Sequence, residues 1–295
     1  MTRVSVCLAT HDGAEWVEEL VASVLAQLGP DDELVVVDDA STDATVDLVA
    51  ALRDPRIRLL RNESNVGSVR TFERALRESW RRYLLLADQD DVWVPGRLDA
   101  MVEALQGAAV VATSVAVLGE PLDPPRWPLR ARDSTRYAAN LAAVMVGVRW
   151  YFGCAMGVRR DALGSVLPFP PWLVESHDLW LGIVGNTHRS IVHLERASVQ
   201  RRLHGANQTP QGWRSLPTIL RARVMLARCV VEARARSRIG RRGANGGPLD
   251  GWAVRGPEPR HAVPDRHPHR YRTGPTPCFA PTRPARCVPT TPDRP

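Results

Sequence analysis

Over its first hundred residues the chain switches repeatedly between two hydrophobic periods. Residues 3–9, 33–37, 57–60 and 83–87 are short, nearly continuous apolar runs, the pattern of strands buried on both faces. Between them, apolar positions recur at helical spacing. Trp16, Leu20, Val24 and Leu28 share a face within 15–28, and Val46, Val49, Ala50 and Leu52 follow the capping triplet Ser41-Thr42-Asp43. Residues 70–80 and 95–105 repeat the helical pattern, the latter with Pro95 at its start. Strands alternating with helices predict an α/β fold, a mostly parallel sheet with helices on both faces. Such sheets bind ligands outside the carboxyl ends of their strands.

The second half is less regular. The pattern predicts a strand over 108–118, a Pro- and Arg-rich loop over 121–132 and a helix over 136–146. A strand follows over 152–158, then a helix over 178–184 opening near Ser176, a short strand over 191–194 and an Arg-rich amphipathic helix over 216–235. In that last helix Arg221, Arg223, Arg228 and Arg234 surround a stripe that includes Leu220, Val224 and Cys229. The stripe fits either packing on the core or an anionic membrane surface. Residues 241–295 hold twelve of the 24 prolines, one Leu and no Ile. That composition cannot build a core and predicts a disordered tail; an out-of-frame read of GC-rich DNA would have the same character.

Charge changes the picture only at the end of the chain. The net charge is +7, and every basic side chain is Arg. Residues 241–295 carry ten Arg against four acids, so +6 of the +7 belongs to them and the body is nearly neutral. The basic balance is therefore no argument for specific nucleic-acid binding by the body. None of the five cysteines forms a CxxC pair, and Cys7 and Cys154 sit in apolar runs, which suits reduced thiols in a cytoplasmic protein. Val4 opens a strand-like run with no cleavage site after it, which argues against a signal peptide, and no run reaches membrane-spanning length.

The chemistry lies at the strand ends. Leu34-Val35-Val36-Val37 ends in Asp38 and Asp39, and Leu84-Leu85-Leu86-Ala87 ends in Asp88, Asp90 and Asp91. Clustered carboxylates suit hard divalent cations such as Mg²⁺ or Mn²⁺, and through them phosphates. The same residues also suit turns and helix caps. On an extended segment Asp88 and Asp90 face one way while Gln89 faces the other.

Five segments in order resemble family 2 glycosyltransferases of the GT-A fold. They are Val4–Gly13, Val37-Asp38-Asp39-Ala40-Ser41-Thr42-Asp43, Ala87-Asp88-Gln89-Asp90-Asp91-Val92-Trp93, Gly153-Cys154-Ala155-Met156 with His177-Asp178-Leu179-Trp180, and Leu203-His204-Gly205-Ala206-Asn207. The later segments are similar to the branch described as rhamnosyltransferases, and the resemblance covers roughly residues 3–210. It implies an inverting, metal-dependent transfer from a dTDP- or UDP-sugar to a saccharide or lipid-linked acceptor, in cell-surface polysaccharide or glycolipid assembly. By the same resemblance Asp39 contacts the base, with Thr10, His11 and Asp12 around base and ribose. Asp90 holds the metal, Asp88 sits near ribose and metal, and His204 reaches the metal or diphosphate. Asp178 is the catalytic base, Arg201 and Arg202 neutralise phosphate, and Gly153 and Cys154 shape the acceptor floor.

This chain departs from the family pattern at His11-Asp12, where Tyr-Asn is usual, and at Gln200-Arg201-Arg202, where Tyr-Arg often precedes the late His-Gly. The implied organisation is a catalytic domain over 1–215, with a nucleotide-binding half (1–107) and an acceptor half (108–215). The amphipathic helix over 216–240 and the tail over 241–295 follow, with any membrane contact peripheral and at the inner face. A sugar nucleotidyltransferase is disfavoured because Thr10–Glu15 lacks a Gly-rich basic loop for a triphosphate. A truncated, impaired homologue that only binds nucleotide sugar is the alternative.

Overall fold

The computed structural model describes residues 3–204 and 215–244. The first half alternates strictly: β1 (Val4–Thr10), α1 (Val17–Leu25), β2 (Glu33–Asp38), α2 (Thr45–Ala51), β3 (Ile57–Arg61), α3 (Ser68–Glu78) and β4 (Tyr83–Asp88). A two-residue strand, β5 (Val92–Trp93), precedes α4 (Arg97–Gly107). The second half comprises β6 (Val110–Val117), α5 (Tyr137–Val146), β7 (Met156–Arg159), α6 (Leu163–Val166), α7 (His177–Thr187), β8 (Ile191–Arg201) and α8 (Leu216–Ala244).

All eight strands join one sheet, in the order β3-β2-β1-β4-β7-β6-β8-β5. Four pairings are parallel and three antiparallel, so the sheet is more mixed than the periodicity predicts. The antiparallel pairings all involve β7 or β5, short strands outside the βα repeats.

Alternation within the strands builds two cores. Val4, Val6 and Leu8 of β1, with Leu34 and Val36 of β2, pack under α1 and α4 against Leu20, Val24, Leu98 and Met101. Cys7, Val35, Val37, Leu84 and Leu86 face the other way, against Phe72 and Leu76 of α3 and the α7–α8 layer. Each of these large apolar side chains contributes roughly 1.5–3 kcal/mol on burial, which holds helices on both faces.

Three expectations are corrected. The strand expected over 152–158 begins only at Met156, because residues Gly153–Ala155 form a 3-10 turn. The strand expected to end at 194 continues to Arg201; its exposed Glu195 and Arg196 sit where β6 and β8 shift register, between Thr113 and Val115. Helix α8 runs through Ala244, into the segment expected to be tail. The expectation of disorder otherwise concerns residues 245–295, which lie outside the described residues, as do Gly205, Ala206 and Asn207.

Candidate active site

Strand order sets the position of the site. From β1 the chain runs outward to β2 and β3, then crosses back to place β4 on the other side of β1. A cavity of about 900 Å³ opens at the carboxyl ends of these strands, where the order reverses. Register brings the polar tips into one row, Thr10 opposite Asp38 and Ala9 opposite Asp88.

Asp38 and Asp39 divide their work. Asp38 is buried and accepts hydrogen bonds from the Thr10 hydroxyl (3.1 Å), the Ser41 amide (2.9 Å) and the Ser41 hydroxyl. It shapes the turn after β2. Asp39 lines the cavity, and its carboxylate holds the loop before α3. Oδ1 accepts from Asn62 Nδ2 (2.7 Å) and the Val66 amide (2.9 Å), and Oδ2 from the Gly67 amide (2.8 Å). Oδ2 thus keeps the larger share of acceptor capacity for a ligand.

Thr10, His11 and Asp12 all line the cavity. His11 Nδ1 lies 2.9 Å from the Asp39 carbonyl and Nε2 lies 3.0 Å from Asn65 Nδ2. A carbonyl can only accept, so the Nδ1–H tautomer satisfies both contacts. Asp12, at a positive φ of 45°, accepts from the Thr42 amide (2.7 Å) and ties the β1 loop to the β2 loop. That backbone hydrogen bond holds its carboxyl below the usual range. Gln89 faces the β1 loop and bonds both the amide and the carbonyl of His11.

After β4 the chain crosses to β5, which pairs with the end of β8, Val92 opposite Gln200. This pairing brings Arg201 over the acids. Arg201 is buried, with its guanidinium 5.0 Å from the Phe152 ring and 5.9 Å from the Trp127 ring. Burial works against its charge, but Cys154, Asp91, Asp88 and Asp90 outweigh that and raise its pKa. Arg202 goes elsewhere: it forms an ion pair with Glu19 and is not among the cavity-lining residues.

The acids form a denser cluster than the spacing alone implies. Asp88 and Asp90 line the cavity, and His204 Nε2 stands 2.8 Å from Asp90 Oδ2 while its ring stacks on Trp16 at 4.2 Å. Behind them Asp91 is buried, with a ligand atom each from Asp88, Asp91 and Cys154 lying within 4.8 Å of one another. Burial, then Asp91 and Asp90, push Asp88 well above the usual carboxylate range. Burial and then Asp90 push Asp91 up to about 7. Burial, then Asp91 and Asp88, hold the Cys154 thiol well above its ordinary range, so it is a protonated packing group rather than a nucleophile. Crowded carboxylates that resist ionising together, beside an imidazole, are a donor set that fits a hard divalent cation. Asp88, Asp90 and His204 are the members that line the cavity.

Asp178 and His177 also line the cavity, on the first turn of α7. Ser176 enters the helix at a φ of 63°, and the His177 ring packs on Phe72 at 4.3 Å. A Cβ at Gly153 would meet His177 Nε2 at 2.4 Å, so that glycine makes room for the wall. Burial pushes the Asp178 carboxyl up to about 6, while the Leu179 amide, 2.7 Å from Oδ1, pulls the other way.

Two groups escaped the sequence reading. Arg97 is buried beneath the acids, donating to the carbonyls of Cys154 (2.5 Å) and Leu86 (3.3 Å) and to Ser198. Tyr151, at the cavity wall, bonds His193 and Asn186 (3.0 Å each), and Asn186 bonds Asn140 (2.9 Å). A buried Arg at a helix start and a polar cluster drawn from four segments leave no periodic signal.

Comparison with known proteins agrees with this geometry. Residues 5–167 match the family model described as glycosyl transferase family 2. The succinoglycan biosynthesis protein ExoO of Rhizobium meliloti is 37% identical over 105 residues, 36% of this chain and 30% of ExoO. The chain thus spans less than a third of that relative's length. The glucosyltransferase WfgD of Escherichia coli, named for UDP-Glc and a diphosphoundecaprenol acceptor, is 24% identical over 198 residues, 64% of this chain and 73% of WfgD. The crystal structure of S. aureus TarS 1–349 in complex with UDP superposes with a TM-score of 0.57 at 19% identity, covering 78% of this chain and 65% of that one. The fold is therefore the GT-A fold of glycosyltransferases, and the family match covers more than half of the chain. The chain belongs to glycosyl transferase family 2.

Proposed function

We propose that this chain transfers a sugar, with inversion, from a nucleoside-diphosphate donor to a hydroxyl of a cell-surface polysaccharide or glycolipid precursor. The observation that carries this is one cavity whose wall holds Asp39, Asp88 and Asp90 at the strand ends and Asp178, raised by burial, on α7. Thr10, His11, Asp12 and Asp39 take the base and ribose, with Asp39 Oδ2 accepting the N3–H of uracil or thymine. A UDP-sugar is favoured by the names of WfgD and of the TarS complex; a dTDP-rhamnose donor rests on the likeness to the rhamnosyltransferase branch alone.

Asp178 takes the acceptor hydroxyl's proton as that oxygen attacks the anomeric carbon, and a base with a pKa near working pH suits the task. Asp88, Asp90 and His204 would hold Mg²⁺ or Mn²⁺, which neutralises charge on the departing diphosphate. Arg201 tempers the acids and adds a guanidinium for phosphate, a task its ion pair makes unsuited to Arg202. No helix among the described residues is long and apolar enough to cross a membrane; on this reading a lipid-linked acceptor is met peripherally, at the inner face.

The test is a thermal-shift screen of UDP-glucose, UDP-N-acetylglucosamine and dTDP-rhamnose, with and without Mn²⁺, followed by turnover of the stabilising donor. Asp90→Ala loses the Mn²⁺-dependent shift and transfer. Asp178→Asn keeps the shift and loses transfer. Unchanged transfer by both variants overturns the reading, and donor binding without turnover by the native chain identifies a binding-only homologue.

A further inference from the structure

Helix α8 carries two apolar stripes. Leu226, Cys229 and Ala233 are buried against α7 and the core, so core packing accounts for one side of the helix. At 100° per residue the opposite side presents Leu216, Leu220, Val224 and Val231, which are 81%, 66%, 54% and 66% exposed. The sequence pattern merges the two; the structure separates Cys229 from Leu220 and Val224. The outward stripe runs roughly 22 Å along the helix at 1.5 Å per residue. Beside it, Val146, Val148 and Trp150 stand 71%, 72% and 54% exposed in the turn after α5, which Arg223 joins to α8 by bonding the Val146 carbonyl (3.1 Å). The two patches meet at the cavity, whose wall includes Trp150, Ile219 and Arg223.

We propose that this surface seats the chain on an anionic lipid bilayer, with the acceptor side of the cavity at the headgroups. It deepens the functional reading above, on which the lipid-linked acceptor rests, but the surface itself does not depend on it. Arg221 and Arg228 flank the stripe on one side and Arg223 and Arg234 on the other. The acid on this stretch, Glu232, is paired with Arg236. An apolar stripe between guanidinium rows, next to an exposed Trp, is the pattern of an interfacial helix.

Charge argues against the other occupants. A second copy docked on the same face would set Arg against Arg. Residues 245–295 carry eight Arg against four acids, so their charge offers no complement to the guanidinium rows either. Residues 205–214 have Trp213 as their one large apolar side chain, too little to cover the stripe.

The experiment is co-sedimentation of the full chain with phosphatidylglycerol–phosphatidylcholine vesicles at physiological salt, where the double variant below, which keeps the basic 241–295 segment, reports adsorption through that segment. The native chain sediments, and Leu220→Glu/Val224→Glu lowers the bound fraction at least roughly tenfold while leaving the UDP thermal shift intact. Brominated phosphatidylcholine quenches tryptophan emission, and Trp150→Phe removes much of that quenching. No binding by the native chain overturns the proposal, as does equal binding by the double variant. A change from dimer to monomer in the double variant, with vesicle binding retained, assigns the stripe to a second copy instead. Vesicle binding intact with no shift by any of the three donors refutes the donor reading and leaves the membrane surface standing.

Discussion

Gln89 and His11 clasp each other across the cavity rim: the Gln89 side chain accepts the His11 amide at 2.8 Å and donates to the His11 carbonyl at 2.9 Å. The clasp joins the loop after β4 to the loop after β1, and so joins the metal-side acids to the base-side pocket. A Cβ at Gly13 would stand 2.3 Å from Gln89 Oε1, which leaves the amide no room to share. Gln89→Ala therefore loses both bonds, about 1–3 kcal/mol of unfolding free energy, and weakens nucleotide binding. Gly13→Ala produces the same loss by expelling Gln89. In the Gln89→Ala background, Gly13→Ala is close to neutral, and a double-mutant cycle in chemical denaturation reads this coupling. Additive losses would refute the clasp.

Asp39 serves the fold before it serves a ligand. Three donors converge on it, from Asn62, Val66 and Gly67. In Asp39→Asn the new amide NH₂ faces the Gly67 amide, which keeps Asn65 Oδ1 at 3.1 Å as its other acceptor. The expected cost is that of one hydrogen bond, about 0.5–1.5 kcal/mol of stability, together with weaker UDP binding. Denaturation midpoints and UDP titration separate the two effects. Lost UDP binding at unchanged stability would make Asp39 a base contact alone.

The pH profile of transfer should follow Asp178. Its carboxyl is raised to about 6 by burial, opposed by the Leu179 amide. As a base it acts when ionised, so the rate falls about tenfold per pH unit below that value. Stability runs in the opposite sense. Between the ordinary carboxylate value of 3.8 and about 6, the folded chain binds this proton more tightly than the unfolded chain, so rising pH removes stability. Asp178→Asn therefore raises Tm at neutral pH, keeps nucleotide binding and abolishes transfer. Its Tm advantage disappears as pH drops through the same window. Unchanged transfer by the variant would remove Asp178 from the chemistry.

The legible parts of this molecule are those with a repeating physical cause. Strands β1, β2 and β4 are buried on both faces and read as nearly continuous apolar runs, so they and their acid tips stand out in sequence. Strand β8 does not, because the register shift beside Thr113–Val115 exposes Glu195 and Arg196 within it and breaks the pattern that ends in Arg201. Asp88 and Asp90 share a cavity, but not by alternation: the chain turns at Gln89 and Asp90, Gln89 lines the same cavity, and Asp91 joins the cluster behind them on the way to β5. Adjacent arginines such as Arg201 and Arg202 look equivalent in sequence. The β5–β8 pairing turns the first toward the acids, and the second reaches Glu19.

Arg97 is the least legible group and carries a strong prediction. Any helix start accepts an Arg at its surface, yet this one is buried, its guanidinium 4.6 Å from the Trp93 ring and bonded to Cys154, Leu86 and Ser198. Burial lowers its pKa to about 10, with Cys154 and Asp91 opposing, so it stays charged at neutral pH. It props the Cys154 turn and faces the buried Asp91 with a positive charge. Arg97→Met leaves two carbonyls and a hydroxyl without this donor and removes a positive charge near Asp91, at about 1–3 kcal/mol. Arg97→Lys recovers little, because one ammonium cannot span three acceptors that a planar fork reaches. If the charge relation with Asp91 matters beyond packing, Asp91→Asn placed on Arg97→Met restores part of the lost stability. Denaturant unfolding of the two single variants and the double variant measures this directly. A double variant no more stable than Arg97→Met would confine Arg97 to holding the carbonyls, leaving Arg201 as the cation that balances the acid cluster.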